Sequence, residues 1–195
     1  MNSTETLRLF LAIPIPETVR AELRRLQLEL QPLLPPHAAR WTRPEQFHLT
    51  LKFLGKVPSA STDALSEAVR AICAPTPPMR LRAEDTGFFP NDRSPRVFCV
   101  DIKSVDGLLM EFQRRLEAAV EPFAEKQESK KFTAHVTLAR FEQLGHHDIE
   151  RLNARLSAHK MFGEWTALEV ELIKSSLQHG GAIHAILDSF RTKNV

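Results

Sequence analysis

Phe47-His48-Leu49-Thr50-Leu51-Lys52-Phe53-Leu54 alternates between two kinds of side chain, and the run is punctuated by Gly55 and Pro58. A period of two residues is that of a β-strand with one face buried. The alternation predicts Phe47, Leu49, Leu51 and Phe53 on one face, and His48, Thr50 and Lys52 on the other. At an offset of 87 positions the pattern returns as Ala134-His135-Val136-Thr137-Leu138-Ala139-Arg140. Roughly 0.5 His-x-Thr triplets are expected by chance in a chain of this composition. Two triplets with matching apolar positions exceed that rate, so the pair is read as one feature.

Around these strands the chain alternates helices with further strands. Leu7–Ile13 is an apolar run that stops at Pro14, and Pro16 suits the first turn of a helix. Val19, Leu23, Leu26 and Leu30 follow at helical spacing, until Pro32, Pro35 and Pro36 end the helix. A second helix is predicted over Thr62–Cys73, and strands near Met79–Thr86 and Arg96–Ile102. Ser104 is read as the cap of a third helix with Val105, Leu108, Leu109, Phe112, Leu116 and Val120 on one face. Glu125–Lys131 reads as an exposed loop, and a short helix carries Ile149, Leu152 and Leu156. Two closing strands, Thr166–Ser175 and Ala182–Phe190, flank a Gly180-Gly181 hairpin turn. Paired strands with short turns, mixed with helices, predict an α+β fold with antiparallel sheets.

The bulk composition narrows the class of protein. With 195 residues the chain is long enough for one domain or two small lobes sharing a core. A net charge of +2 does not predict a broad surface that coats nucleic acid, so any contact with RNA is expected to be local. Cys73 and Cys99 lie in apolar settings without metal-ligand spacing, which suggests two buried free thiols. The Leu7–Pro16 run lacks the features of a signal peptide, and no stretch has transmembrane length. A cytoplasmic location is therefore expected.

A lone His-x-Thr in a strand is usually a polar pair on a sheet face. A matched pair is different, because each His shares a face with its own Thr. If the two strands face each other, two imidazoles and two hydroxyls converge on a volume that suits a phosphodiester. In-line displacement at phosphorus needs a base behind the attacking oxygen and an acid at the leaving oxygen. Histidine performs either role near neutral pH, so the rate should show a bell-shaped pH dependence. Thr50 and Thr137 are suited to hold the non-bridging oxygens. The symmetry of the motifs leaves open which histidine is acid and which is base.

These motifs resemble those of the two-histidine phosphoesterase superfamily. The chain is most similar to the bacterial and archaeal RNA 2′,3′-cyclic phosphodiesterases, first described as 2′-5′ RNA ligases. The likeness runs through Arg8–Pro14, Phe47–Gly55, Pro95–Phe98 and Phe132–Arg140, and into Ser175-Ser176-Leu177 and Gly180-Gly181-Ala182. It implies a single two-lobed domain over residues 1–195, a pseudo-two-fold fold with helices outside and both motifs facing a central groove. The implied reaction is hydrolysis of an RNA 2′,3′-cyclic phosphate end, or of a small cyclic nucleotide, to a 2′-phosphomonoester. No metal or other cofactor is implied, and a monomer is expected. By the same resemblance His48 is the proton donor to O3′, and His135 is the acceptor that activates water. Arg140 clasps the phosphate, for which its planar fork is suited, and Phe53 stacks on the terminal base.

Arg140 and Phe53 each lie five positions after their histidine, and strict alternation places them on the opposite face. Both strands must twist, bulge or end before these positions if the roles are to hold. Ala134 stands where the family commonly has proline, a change expected to affect rigidity more than chemistry. Lys52, on the His48 face by alternation, is a candidate for reaching phosphate. His37, His146, His147, His159, His179 and His184 form no metal-binding spacing and are read as surface or packing residues. Two other functions fit the same residues. One is 2′-5′ ligation or cleavage of 2′-5′-linked oligonucleotides; the other is a non-catalytic module that binds nucleotides or RNA ends.

Overall fold

Strand β1 (Thr6–Pro14) lies in the middle of a sheet and is buried on both faces. Leu9, Leu11 and Ile13 enter the main core, whereas Phe10 and Ala12 form a small separate cluster with Ile173 on the opposite face. This double burial explains a continuous apolar run where a one-sided strand would alternate. The computed structural model describes residues 5–126, 131–142, 144–156, 160–178 and 181–193.

The remaining elements follow in chain order. Helix α1 (Glu17–Leu30) starts after Pro16 and buries Val19, Leu23, Leu26, Gln27 and Leu30. Strand β2 (Ala39–Trp41) and the long β3 (His48–Pro58) precede α2 (Thr62–Cys73). Next come β4 (Met79–Phe89), β5 (Val97–Ser104) and α3 (Leu108–Val120). The chain continues through β6 (His135–Phe141), α4 (His146–Leu156), β7 (Met161–Ala167), β8 (Glu169–Gln178) and β9 (Gly181–Arg191).

The strands form two sheets, in the orders β3-β1-β8-β9 and β2-β6-β5-β4-β7, and every pairing is antiparallel. The expected α+β class with two antiparallel sheets is the observed one. Helices α2 and α3 lie together against the first sheet, while α1 lies against β7 of the second. Strands β3 and β6, which carry the two motifs, touch without pairing. No helix among the described residues is long and apolar enough to cross a membrane.

The pseudo-two-fold relation is legible in the register. Phe10, Leu11, Ala12, Ile13 and Pro14 of β1 oppose Phe53, Lys52, Thr50, Leu49 and His48 of β3. Val97, Phe98, Cys99, Val100 and Asp101 of β5 oppose Arg140, Ala139, Thr137, Val136 and His135 of β6. Every residue in the second ladder lies 87 positions after its counterpart in the first, so the offset of the motifs extends to the strands that support them.

Several boundaries differ from the expected ones. Helix α3 begins at Leu108 after Gly107, which has a left-handed φ of 76°, and Val105 lies outside it. Ser104 ends β5 instead, yet its Oγ still accepts the Leu109 N–H at 3.2 Å. The predicted strand from Thr166 to Ser175 is two strands in different sheets, divided at Leu168. There the chain leaves β4 for β1, and the Leu168 carbonyl accepts both the backbone N–H and the hydroxyl of Thr192. The three-residue β2 carries too short a pattern to be read from sequence. Gly180, part of the predicted turn, lies outside the described residues, although Gln178 opposes Gly181. Cys73 and Cys99 are buried and free, and burial first raises each thiol to about 12.

Candidate active site

Strand β3 departs from regular alternation at Leu51. Leu11 opposes Lys52 and Ala12 opposes Thr50, which leaves Leu51 without an opposite number. Such a bulge reverses which face the following residues occupy. Phe53 therefore joins His48 and Thr50, and its ring lies 5.7 Å from that of Phe10, which in turn lies 4.9 Å from His48. Lys52 is turned the other way, only 4% exposed, and paired with Glu117 of α3. The placement of Lys52 on the histidine face, and of Phe53 on the opposite one, is corrected by this single bulge.

Strand β6 has the same break at the equivalent residue. Phe98 opposes Ala139 and Cys99 opposes Thr137, so Leu138 is the unmatched residue. Arg140 thereby returns to the face of His135 and Thr137. The first seven residues of β3 and the seven of β6 share one pattern of burial, position for position. The break in alternation that the sequence required is present in both strands.

The two imidazoles are held alike. His48 Nδ1 lies 2.7 Å from the carbonyl oxygen of Gln46, and His135 Nδ1 lies 2.7 Å from that of Thr133. A carbonyl only accepts, so each Nδ1 carries the proton and each Nε2 is left to exchange one. A phenylalanine braces each ring: Phe10 for His48, and Phe89, edge-on at 5.0 Å, for His135. Arg140 is directly opposed by Arg40 of β2. Two guanidinium groups side by side repel, and an anion between them relieves the repulsion.

His184, read as a surface or packing residue, packs directly beside the first motif. It stands on β9 with its ring 5.5 Å from His48 and 5.0 Å from Phe10. Gln46 Nε2 donates to the Ala182 carbonyl at 2.6 Å, tying the start of β3 to β9. Burial, then the charge of His184, then that of His135 lower the His48 pKa to about 4, while the bond to Gln46 opposes them. Burial also lowers His184. No local signal in the sequence marked His184, Phe10 or Phe89, because a neighbour across a sheet is set by register.

The other described histidines lie apart: His146 and His147 pair with Glu150 on α4, and His37 occupies a left-handed turn with φ 68°. His159 and His179 lie outside the described residues. No group of three or more His, Cys, Asp or Glu side chains among the described residues is placed to hold a metal ion. Two clefts along α1, one beside Lys160 and Phe162 and one beside Pro44 and Glu45, include neither motif histidine.

Two antiparallel sheets, each presenting a His-x-Thr strand with its bulge, define the class of LigT-like phosphoesterases. The family described as LigT like Phosphoesterase matches this chain twice in succession, over residues 13–99 and 100–184. The chain belongs to that family. It is 30% identical over 196 residues to the RNA 2′,3′-cyclic phosphodiesterase of Thermus thermophilus, covering 94% of this chain and 89% of that protein. The protein of the same name from Methanocaldococcus jannaschii is 26% identical over 183 residues, covering 93% and 98%. The crystal structure of TT0787 of Thermus thermophilus has a TM-score of 0.81 at 28% identity, covering 96% of this chain and 98% of that one.

Proposed function

We propose that this chain hydrolyses the 2′,3′-cyclic phosphate at an RNA end, or on a small cyclic nucleotide, to a 2′-phosphomonoester. It does so as a monomeric cytoplasmic enzyme, through one two-lobed domain and without a metal ion. The observation that carries the reading is the matched state of the two imidazoles. Each donates Nδ1–H to a carbonyl two residues earlier and leaves Nε2 unprotonated or protonated as the chemistry demands. The names of the relatives supply the substrate.

In this mechanism His135 Nε2 removes a proton from water as the oxygen attacks phosphorus. The bond from phosphorus to O3′ breaks, and His48 Nε2 delivers its proton to O3′. Thr50 and Thr137 hold the non-bridging oxygens, and Arg140 takes the charge that grows there. Phe53 is 50% exposed, an open ring face on which a base stacks regardless of identity.

A donor must be protonated, and the free His48 is not at neutral pH. An anionic phosphate beside its Nε2 favours the charged form and raises its pKa. In an NMR titration, the His48 midpoint near pH 4 should therefore move upward on saturation with a nucleoside 2′-phosphate. An unmoved midpoint in the saturated protein would contradict the donor role.

The reaction itself is tested with an RNA oligonucleotide ending in a cyclic phosphate, in excess chelator. A 2′-phosphate end is the expected product. Joined RNA as the only product points to ligation, activity abolished by chelator contradicts the metal-free mechanism, and tight binding without turnover points to a binding module.

A further inference from the structure

The two bulges do not stand unsupported, and a buried glutamine on a helix serves each. Gln27 of α1 is buried and donates from Nε2 to the carbonyl of Leu138 at 2.8 Å and to that of Thr42 at 2.9 Å. Gln113 of α3 is buried and donates from Nε2 to the carbonyl of Leu51 at 3.2 Å and to Glu117 Oε2 at 3.1 Å. Leu138 and Leu51 are the unmatched residues of the bulges in β6 and β3. Each glutamine thus grips the carbonyl where its strand leaves the regular ladder. All four partners are acceptors, so the amide group can face them only with its nitrogen.

The support is also crossed. Gln27 precedes the first motif in sequence but holds the bulge of the second, and Gln113 precedes the second but holds the bulge of the first. Glu117 connects the second support to the buried Lys52, the residue that the β3 bulge turned into the core. A glutamine in the interior of a helix face that is otherwise apolar costs desolvation unless both N–H groups are used, and both are.

We infer that Gln27 and Gln113 are positioning residues, which hold the bulges that bring Arg140 and Phe53 onto the faces of the two histidines. This rests on the roles proposed above for Arg140 at phosphate and Phe53 at the base. It separates the two supports by what each one controls. Loss of Gln27 releases the residue that grips phosphate, whereas loss of Gln113 releases the residue that stacks on the base.

Gln27→Met and Gln113→Met keep length and approximate volume and donate nothing. Inorganic phosphate and a nucleoside 2′-phosphate serve as ligands in calorimetry, with steady-state kinetics on the cyclic substrate alongside. Gln27→Met is expected to weaken both ligands by about tenfold, the scale of one hydrogen bond's worth of positioning. Gln113→Met is expected to weaken the nucleotide by about as much and leave inorganic phosphate unchanged. Both should raise KM more than they lower kcat. In the background of Arg140→Ala, Gln27→Met should add little further loss for phosphate, because the group it positions is gone.

Equal losses for both ligands in both variants, or full additivity with Arg140→Ala, would indicate general loosening and overturn the inference. If the Met variants do not fold, Gln27→Asn and Gln113→Asn draw the same donors back by one methylene, and the same pattern of affinities decides. A wild-type protein that hydrolyses cyclic ends, with variants of unchanged affinity, rejects the positioning role alone. A wild-type protein that neither hydrolyses cyclic ends nor binds phosphate rejects the functional reading and this inference with it.

Discussion

Replacement of His48 or His135 by alanine should lower turnover of a cyclic-phosphate RNA end by about 10²- to 10⁴-fold each, the usual worth of one positioned proton transfer. The expectation follows from the state of the rings. With Nδ1–H donated to the Gln46 or Thr133 carbonyl, each imidazole offers only Nε2 to the groove. His184 is near His48, but it stands on β9, outside either motif strand, and does not inherit the motif's geometry. Because the two histidines are proposed to act on one displacement, the double variant should lose far less than the product of the single losses. Single-turnover assays separate this from weakened binding. Product formed at the wild-type rate by either variant would end the acid–base assignment.

The largest structural effect is expected at Gly55. It has φ 74°, and a Cβ built there would meet Glu125 Oε2 at 2.5 Å and Glu125 Cβ at 2.8 Å. The Glu125 carboxylate can swing away, but its Cβ is fixed to the backbone, whose N–H bonds the Leu54 carbonyl at 2.8 Å. Gly55→Ala therefore combines a left-handed conformation costing about 1–2 kcal/mol with an overpacked contact of similar cost. A loss of about 2–4 kcal/mol is expected, seen as a lower urea midpoint with an unchanged m value. A midpoint within experimental error of wild type would show that this end of β3 is free to rearrange. Because Phe53 lies two residues before Gly55, nucleotide affinity should fall with it in the folded fraction.

The elements that the sequence made legible are those with a local cause. The apolar run of β1, the prolines bounding α1, the spacing of Leu65 and Val69 in α2, and the alternation of β3 and β6 are all set within a few residues. The elements that were not legible depend on partners far along the chain. Strand β2 exists because Ala39–Trp41 meets Ala139–Phe141, and β7 separates from β8 because one pairs with β4 and the other with β1. His184 is 136 residues from His48 in sequence and enters the site through the pairing of β9 with β8 and of β8 with β1.

The paired His-x-Thr strands pointed to the family, the α+β class and the proposed acid–base pair, because two-residue alternation and residue chemistry are properties of the local chain. The same alternation placed Lys52 in the groove and Phe53 in the core. Tertiary structure reversed both through the bulge at Leu51, and the bulge at Leu138 did the same for Arg140; no nearby residue marks either one. A bulge is a mismatch between two strands, and its cost is met by whatever grips the displaced carbonyl. Here the gripping groups are Gln113 and Gln27 on helices from the opposite halves of the chain, so only the assembled fold could decide which side chains share a face with the histidines.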